Sequence, residues 1–340
     1  MKILILGGTR FLGRAIVEEA VKRKHEITLF NRGTNKEVFP DLEQLVGNRD
    51  QDVSLLKKRN WDAVIDTCAF APHQIKNIAA VLRDSVEHYT FISSISVYRD
   101  WIPPNITEDY HLQSIQLDKL KAVEVGTVSP YEYYGALKAL CEAEVEKNWP
   151  GHALHIRAGL LVGPYDYSGR LPYWVERVAQ GGRILVPGRL DRPIQLIDVK
   201  DIASWVIHMA ENRNAGVYNV TGPNNQLTIE ELLNICRAVT GSDGEWVSVD
   251  EPFLWAHKIE PWTEMPLWIP EDFSLEGEKA PWKGTFAISI DKAVRTGLSF
   301  RPLKETIQEV YHWERERHHS DKVAGLSRDK ECALLNEWHK

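Results

Sequence analysis

Four consecutive apolar residues, Ile3-Leu4-Ile5-Leu6, run directly into Gly7-Gly8 and then into an apolar helical stripe. No other feature constrains the fold as tightly. A continuous apolar run closed by glycines has the pattern of a strand buried on both faces, as in a parallel sheet. Leu12, Ile16, Val17, Ala20 and Val21 then recur with helical period. Gly7-Gly-Thr-Arg-Phe-Leu-Gly13 is therefore a strand-to-helix turn opening a βαβ unit. Such a turn gathers backbone N–H groups at a helix N-terminus, where a dinucleotide's pyrophosphate binds. Gly7 permits the tight turn and Gly13 the close packing of helix on strand, while Arg10 replaces the usual middle glycine. Gly7, Thr9, Arg10, Phe11, Leu12 and Gly13 are the candidate cofactor contacts of this loop.

The alternation continues. Ile27–Phe30, Ala63–Asp66, Tyr89–Ile92 and His155–Arg157 have strand patterns, with helices around Gln74–Leu82 and Tyr134–Lys147 between them. Repeated β-then-α order implies an α/β fold, a Rossmann-type doubly wound parallel sheet with right-handed crossovers. After Gly163-Pro164 the rhythm loosens, and it returns at Gln195–Asp198 and the apolar helix near Ile202–Met209. This predicts a smaller substrate domain interleaved with the first. Residues 1–164 and about 191–221 form the dinucleotide domain, about 165–190 and 222–313 the substrate domain, and 314–340 a peripheral charged tail.

With 41 basic and 48 acidic residues among 340, the formal charge is −7 and no basic block stands out, which argues against a nucleic-acid or anionic-membrane surface. Cys68, Cys141, Cys236 and Cys332 are scattered, without metal-like or disulfide-framework spacing, as expected of reduced thiols. No apolar stretch is long enough for a signal peptide or membrane span, so a cytoplasmic enzyme without metal or membrane partner is expected. Homodimerisation stays open.

An NAD site usually carries an acid about twenty residues past the glycine loop, on the ribose hydroxyls. Here the second strand ends in Asn31-Arg32. An arginine there can grip a 2′-phosphate, and Arg10 and Arg32 together favour NADP over NAD.

Tyr134 and Lys138 lie at i and i+4, one turn apart on a helical face that continues through Cys141 and Val145. A lysine on an apolar face needs a partner or a task. A tyrosine acts as general acid/base near neutral pH only if its phenolate is stabilised, which a nearby ammonium does. Ser93, Ser94 and Ser96 follow a buried strand, where the carboxyl ends of parallel strands place catalytic groups.

Taken in order, the glycine loop, Ser93–Tyr98, Tyr134/Lys138, Arg157 with Gly163-Pro164, Arg192–Asp201, Tyr218–Thr221 and Phe300–Leu303 resemble an extended or atypical short-chain dehydrogenase/reductase of the NAD(P)-dependent epimerase/dehydratase group. The resemblance runs from Met1 to about Trp313. It implies that Ser94 is the catalytic hydroxyl, Tyr134 the acid/base, and Lys138 both the group that lowers the tyrosine pKa and a nicotinamide-ribose contact. Ser93 and Ser96 are alternatives to Ser94. It further implies cofactor contacts at Asp66, Thr67, Cys68, Ala69 and Leu160, and substrate contacts at Ser96, Arg192 and Gln195. Arg10 marks an atypical branch.

Trp246, Trp255, Trp262, Trp268 and Trp282 crowd one Pro-rich segment, which reads first as the core of the smaller domain, with one or two left as pocket walls. His318-His319 reads as a solvated pair. The expected function is NAD(P)-linked hydride chemistry on a small hydroxyl- or carbonyl-bearing substrate, a nucleotide sugar being one candidate. Oxidoreductase, epimerase and dehydratase begin alike and are not separated. Two alternatives stay open: a nucleotide-sensing or RNA-binding protein, since GGTRFLG resembles the loop of chloroplast stem-loop-binding relatives, and a reductase of phenolic or isoflavone-like compounds.

Overall fold

The computed structural model describes residues 1–224, 227–271, 284–316 and 324–338; Trp282 and His318-His319 lie outside them. In chain order the first part comprises β1 (Lys2–Leu6), α1 (Phe11–Lys22), β2 (Glu26–Asn31), β3 (Glu43–Val46), β4 (Ala63–Asp66), α2 (Pro72–Leu82), β5 (Tyr89–Ser94), α3 (Leu117–Glu124), α4 (Tyr134–Asn148) and β6 (Ala153–Ala158). There follow β7 (Leu160–Val162), α5 (Arg170–Ala179), β8 (Arg183–Pro187), β9 (Leu196–Asp198), α6 (Val199–Glu211) and β10 (Gly216–Val220). The last part holds α7 (Ile229–Thr240), β11 (Glu245–Val249), α8 (Glu251–Ala256), α9 (Asp291–Arg295), α10 (Leu303–Glu316) and α11 (Arg328–Trp338).

Seven strands form one sheet in the order β10-β6-β5-β4-β1-β2-β3, every pair parallel. Side chains alternate across its two faces. Ile3, Ile5, Ile27, Leu29, Ala63 and Ile65 face α1 and α6 in one core. Leu4, Leu6, Phe30, Val64, Tyr89 and Phe91 face α2 and α4 in another. This two-sided burial is why the strands read as unbroken apolar runs. The strand order reverses between β1 and β4, the switch point at which such sheets open a ligand crevice at their carboxyl ends.

A further core joins β7, α5, β8, α7 and the region around Met265–Ile269. Two small parallel pairs, β8 with β11 and β7 with β9, belong to this part of the molecule. The helix after β9 does return to the large sheet, with α6 against α1, but β9 itself pairs only with β7. Trp268 is fully buried in this core with its indole N–H on Glu251, and Trp246, Trp255 and Trp262 are half-buried.

The expectation of a peripheral tail is corrected. Glu331 on α11 is buried and accepts from Arg177 at 2.7 Å and from the Leu185 amide at 3.0 Å. Leu334 and Leu335 are buried beside it. The charged composition of the tail hid one acid whose partner lies 154 residues away. No helix among the described residues is long and apolar enough to cross a membrane.

Candidate active site

The glycine loop fits a dinucleotide. Gly7 and Gly8 have φ of 98° and 90°, values that favour glycine, and a Cβ on Gly13 would lie 3.0 Å from the Gly8 nitrogen. Arg10 caps α1 without a side-chain bond to the first turn. The first-turn amides of a helix have no intrahelical acceptor, so the cradle is free to serve an anion. Thr67 closes its floor: the hydroxyl donates to the Leu6 carbonyl at 2.8 Å and would meet a Cβ on Gly7 at 2.6 Å. At the end of β2, Asn31 accepts the Gly33 amide at 2.8 Å, and Arg32 is exposed. Thr9 accepts from Asn35 at 3.4 Å. Arg10 instead lies 4.4 Å over the Tyr167 ring, and Phe11 meets the same ring edge-on.

Ser94 ends β5, and Tyr134 opens α4 within hydrogen-bonding reach of it. Ser94 Oγ also accepts the Ser96 amide at 3.1 Å, which fixes the short helical turn at Ile95–Val97. Lys138, one turn along α4, is buried and donates to the carbonyls of Ala69 at 2.9 Å and Ile92 at 2.6 Å. Ala69 lies in the turn that follows β4 and Ile92 within the last half of β5, so the lysine is fixed between these two neighbouring strands on their carboxyl side. Burial pushes the Tyr134 phenol above its ordinary value, the reverse of the lowering expected from Lys138, whose ammonium is engaged by two backbone carbonyls and is itself pulled below its ordinary value by burial.

Gly135 is the signal that sequence reasoning missed. A Cβ there would stand 1.9 Å from the Ser96 carbonyl oxygen, so only glycine lets α4 approach the Ser94 turn. Gly135→Ala is expected to push helix and turn apart, costing about 1–3 kcal/mol by overpacking. Turnover should fall further than the thermal midpoint does, as parallel rate and melting measurements would show.

The Ser93 hydroxyl is engaged behind the site. It donates to Glu142 Oε1 at 2.5 Å, and Glu142 is gripped by Arg157 at 2.8 and 3.1 Å. Arg157 continues to the Tyr98 hydroxyl and the Glu108 carbonyl, a buried brace behind the site.

Several expected contacts lie elsewhere. Asp66 is fully buried and does not line the crevice with its carboxylate. That group takes both guanidinium nitrogens of Arg49 at 2.8 and 2.7 Å, the Tyr89 hydroxyl at 2.8 Å and the amides of Cys68 and Ala69. It shapes the Thr67–Ala69 turn from behind. Cys68 is exposed, with Arg49 donating to its sulfur at 3.3 Å. The Gln195 amide is likewise committed, donating to the carbonyls of Gly222 and Ile288 and accepting the Ile288 amide. Arg192 is 2% exposed, donates to the Ile269 carbonyl at 3.2 Å and leaves its Nε unpaired. Leu160 is buried in the core of the smaller part. Among the described residues no group of three His, Cys, Asp or Glu is placed to hold a metal.

Residues 3–221 match the model of the NAD dependent epimerase/dehydratase family. The chain belongs to that family. It is accordingly an NAD-dependent enzyme of the epimerase/dehydratase type. This epimerase/dehydratase-family enzyme is similar to the chloroplast stem-loop binding protein of 41 kDa b of Arabidopsis thaliana, 26% identical over 96% of this chain and 83% of that protein. It is also similar to UDP-N-acetyl-alpha-D-glucosaminuronate decarboxylase of Bacillus cytotoxicus, 25% identical over 81% of this chain and 90% of that one. Among solved structures, UDP-glucuronic acid 4-epimerase from Bacillus cereus in complex with NAD shares the fold, with TM-score 0.66 and 15% identity over 93% and 99% of the two chains.

Proposed function

We propose that this enzyme transfers hydride between a nicotinamide dinucleotide and a hydroxyl-bearing carbon of a nucleotide sugar, with Ser94, Tyr134 and Lys138 as the reacting set. The observation that carries the reading is the meeting of Ser94 at the end of β5 with Tyr134 at the start of α4, where Gly135 lets the helix press on the Ser94 turn and the buried Lys138 is held on the Ala69 and Ile92 carbonyls. When bound, the dinucleotide supplies the hydride acceptor and, oxidised, a positive ring. Tyr134 takes the proton of the substrate hydroxyl as hydride departs and returns it to the carbonyl on reversal. Ser94 holds the same oxygen, and Lys138 sets a fixed cation one turn below the phenol. Gly7, Thr9, Phe11, Leu12 and Gly13 cradle the pyrophosphate in this reading, with Thr67, Cys68 and Ala69 along the crevice. Ser96 remains a candidate substrate contact. The test is product analysis after incubation with NADP or NAD and a panel of nucleotide sugars: an epimerised, dehydrated or decarboxylated product is expected, and an unaltered panel contradicts the reading.

We also propose NADP as the preferred cofactor. The support is Arg32, exposed at the end of β2 where no acid stands; Arg10 is occupied by Tyr167. Arg32→Ala is expected to weaken NADP binding by about tenfold or more, because the charge-assisted hydrogen bond to the 2′-phosphate is removed, and to leave NAD unaffected. Equal affinity of the unmodified protein for the two dinucleotides, by fluorescence titration, contradicts it.

Similarity to a stem-loop-binding protein favours RNA binding as the second reading. A salt-dependent shift of a stem-loop RNA, together with an unaltered sugar panel, would select it.

A further inference from the structure

Arg10 stands where a dinucleotide loop usually has its middle glycine, at the residue before α1. It is exposed, and among the described residues its side chain has no hydrogen bond and no ion pair. Arg14, one turn along α1, differs in pairing with Glu18 at 2.8 Å. What Arg10 does have is a ring. Its guanidinium lies 4.4 Å over Tyr167, and Phe11 meets the same ring edge-on at 6.1 Å. Phe11 has φ of 39°, a backbone region that favours glycine, so the loop is bent where its two long side chains reach one tyrosine. Tyr167 belongs to the loop between β7 and α5, which is anchored by other contacts. Tyr165 lies under the Arg14 guanidinium at 3.8 Å and against Trp313 of α10 at 5.7 Å. Asp166 is buried and accepts the Ser168 amide at 2.8 Å. Tyr167 is therefore a platform fixed beside the first turn of α1.

A stack on an aromatic face leaves the guanidinium's N–H donors unused, because they lie in its plane. Such a cation, on the loop whose amides are placed for an anion, is complementary to phosphate oxygens. We propose that Arg10 grips the diphosphate of the dinucleotide and that Tyr167 is a positioning residue holding the guanidinium at the cradle. The inference rests on the glycine loop being the dinucleotide's diphosphate site. It gives the two arginines different tasks: Arg10 meets the diphosphate that NAD and NADP share, and Arg32 the 2′-phosphate that only NADP carries.

Dissociation constants of NAD and NADP are measured by fluorescence titration of the unmodified protein free of dinucleotide, and of Arg10→Ala, Tyr167→Leu, Tyr167→Phe and the double variant Arg10→Ala/Tyr167→Leu. Arg10→Ala is expected to weaken both dinucleotides by the same factor, about tenfold or more, through loss of a charge-assisted phosphate contact. Tyr167→Leu should weaken both by about threefold, while Tyr167→Phe, which keeps the ring, should stay within about twofold. Tyr167→Leu should add nothing once Arg10 is gone. The gap between the unmodified protein and Arg10→Ala should narrow as salt is raised, since the contact is exposed. Thermal midpoints should coincide, because Arg10 bonds nothing else in the fold. Unchanged or tighter binding in Arg10→Ala overturns the proposal, as the arginine would then only be stepping aside for the phosphates. So does a loss confined to NADP, a loss indifferent to salt, or a Tyr167→Leu effect that is the same with and without Arg10. Failure of the unmodified protein to bind either dinucleotide overturns instead the reading of the glycine loop as the dinucleotide site.

Discussion

Tyr134→Phe is expected to lower turnover by about 10²–10⁴-fold, the range that a positioned general acid/base contributes. The dinucleotide dissociation constant should move by less than about threefold, because the missing hydroxyl belongs to the start of α4 beside the end of β5 and not to the glycine loop. The fold should tolerate the change. The Tyr134 ring packs 5.1 Å from Phe70, a packing that phenylalanine keeps, and Ser94 Oγ retains the Ser96 amide. A steady-state rate paired with a fluorescence titration separates the two effects. Loss of cofactor binding in step with turnover would mean that the ring, not its hydroxyl, is what matters.

The largest stability effect is expected at Arg49. Its guanidinium and the Asp66 carboxylate are both buried and doubly bonded, so Arg49→Met strands an acid in the core, at a cost of about 3–5 kcal/mol. The pH dependence follows from the signs. Burial works to raise the Asp66 pKa, but the Arg49 charge and hydrogen bonds outweigh it and hold the carboxyl below its usual value. Its contribution is therefore present above the unfolded carboxylate pKa, near ~4, and is lost as pH falls through the lower folded value. In Arg49→Met the Tyr89 hydroxyl and the Cys68 and Ala69 amides still bond the carboxylate, but the opposing charge is gone and the folded pKa rises. The penalty should then be full at neutral pH and shrink as pH approaches the unfolded value. Melting curves of both proteins between neutral and mildly acidic pH test this; a difference that stays constant with pH would place the loss in packing instead.

What the sequence shows of this molecule is what is local. The β1–glycine loop–α1 junction is readable because burial on both sheet faces leaves an unbroken apolar run, and Tyr134/Lys138 because helical spacing is a fixed ruler. The edge strand β3, Glu43-Gln-Leu-Val46, escapes notice: it is four residues long, partly exposed, and half polar. Long-range pairings are equally silent. Nothing near Asp66 says that Arg49 will take its carboxylate, and nothing near Gln195 says that Ile288 will complete its amide. From its neighbours alone each of these residues reads as facing a ligand, yet each finds its partners in the backbone or across the core. Gly135 carries a readable hint, a glycine at the start of a helix with no turn to explain it.

The central claim is that Ser94, Tyr134 and Lys138 pass hydride between a sugar and the bound dinucleotide. It is met most directly by rapid mixing of the dinucleotide-loaded enzyme with a nucleotide sugar while the absorbance of reduced nicotinamide is followed. This absorbance is expected to appear in the unmodified enzyme and to be missing in Tyr134→Phe loaded to the same degree. Reduced nicotinamide forming equally in both proteins, or in neither with any nucleotide sugar, would contradict it.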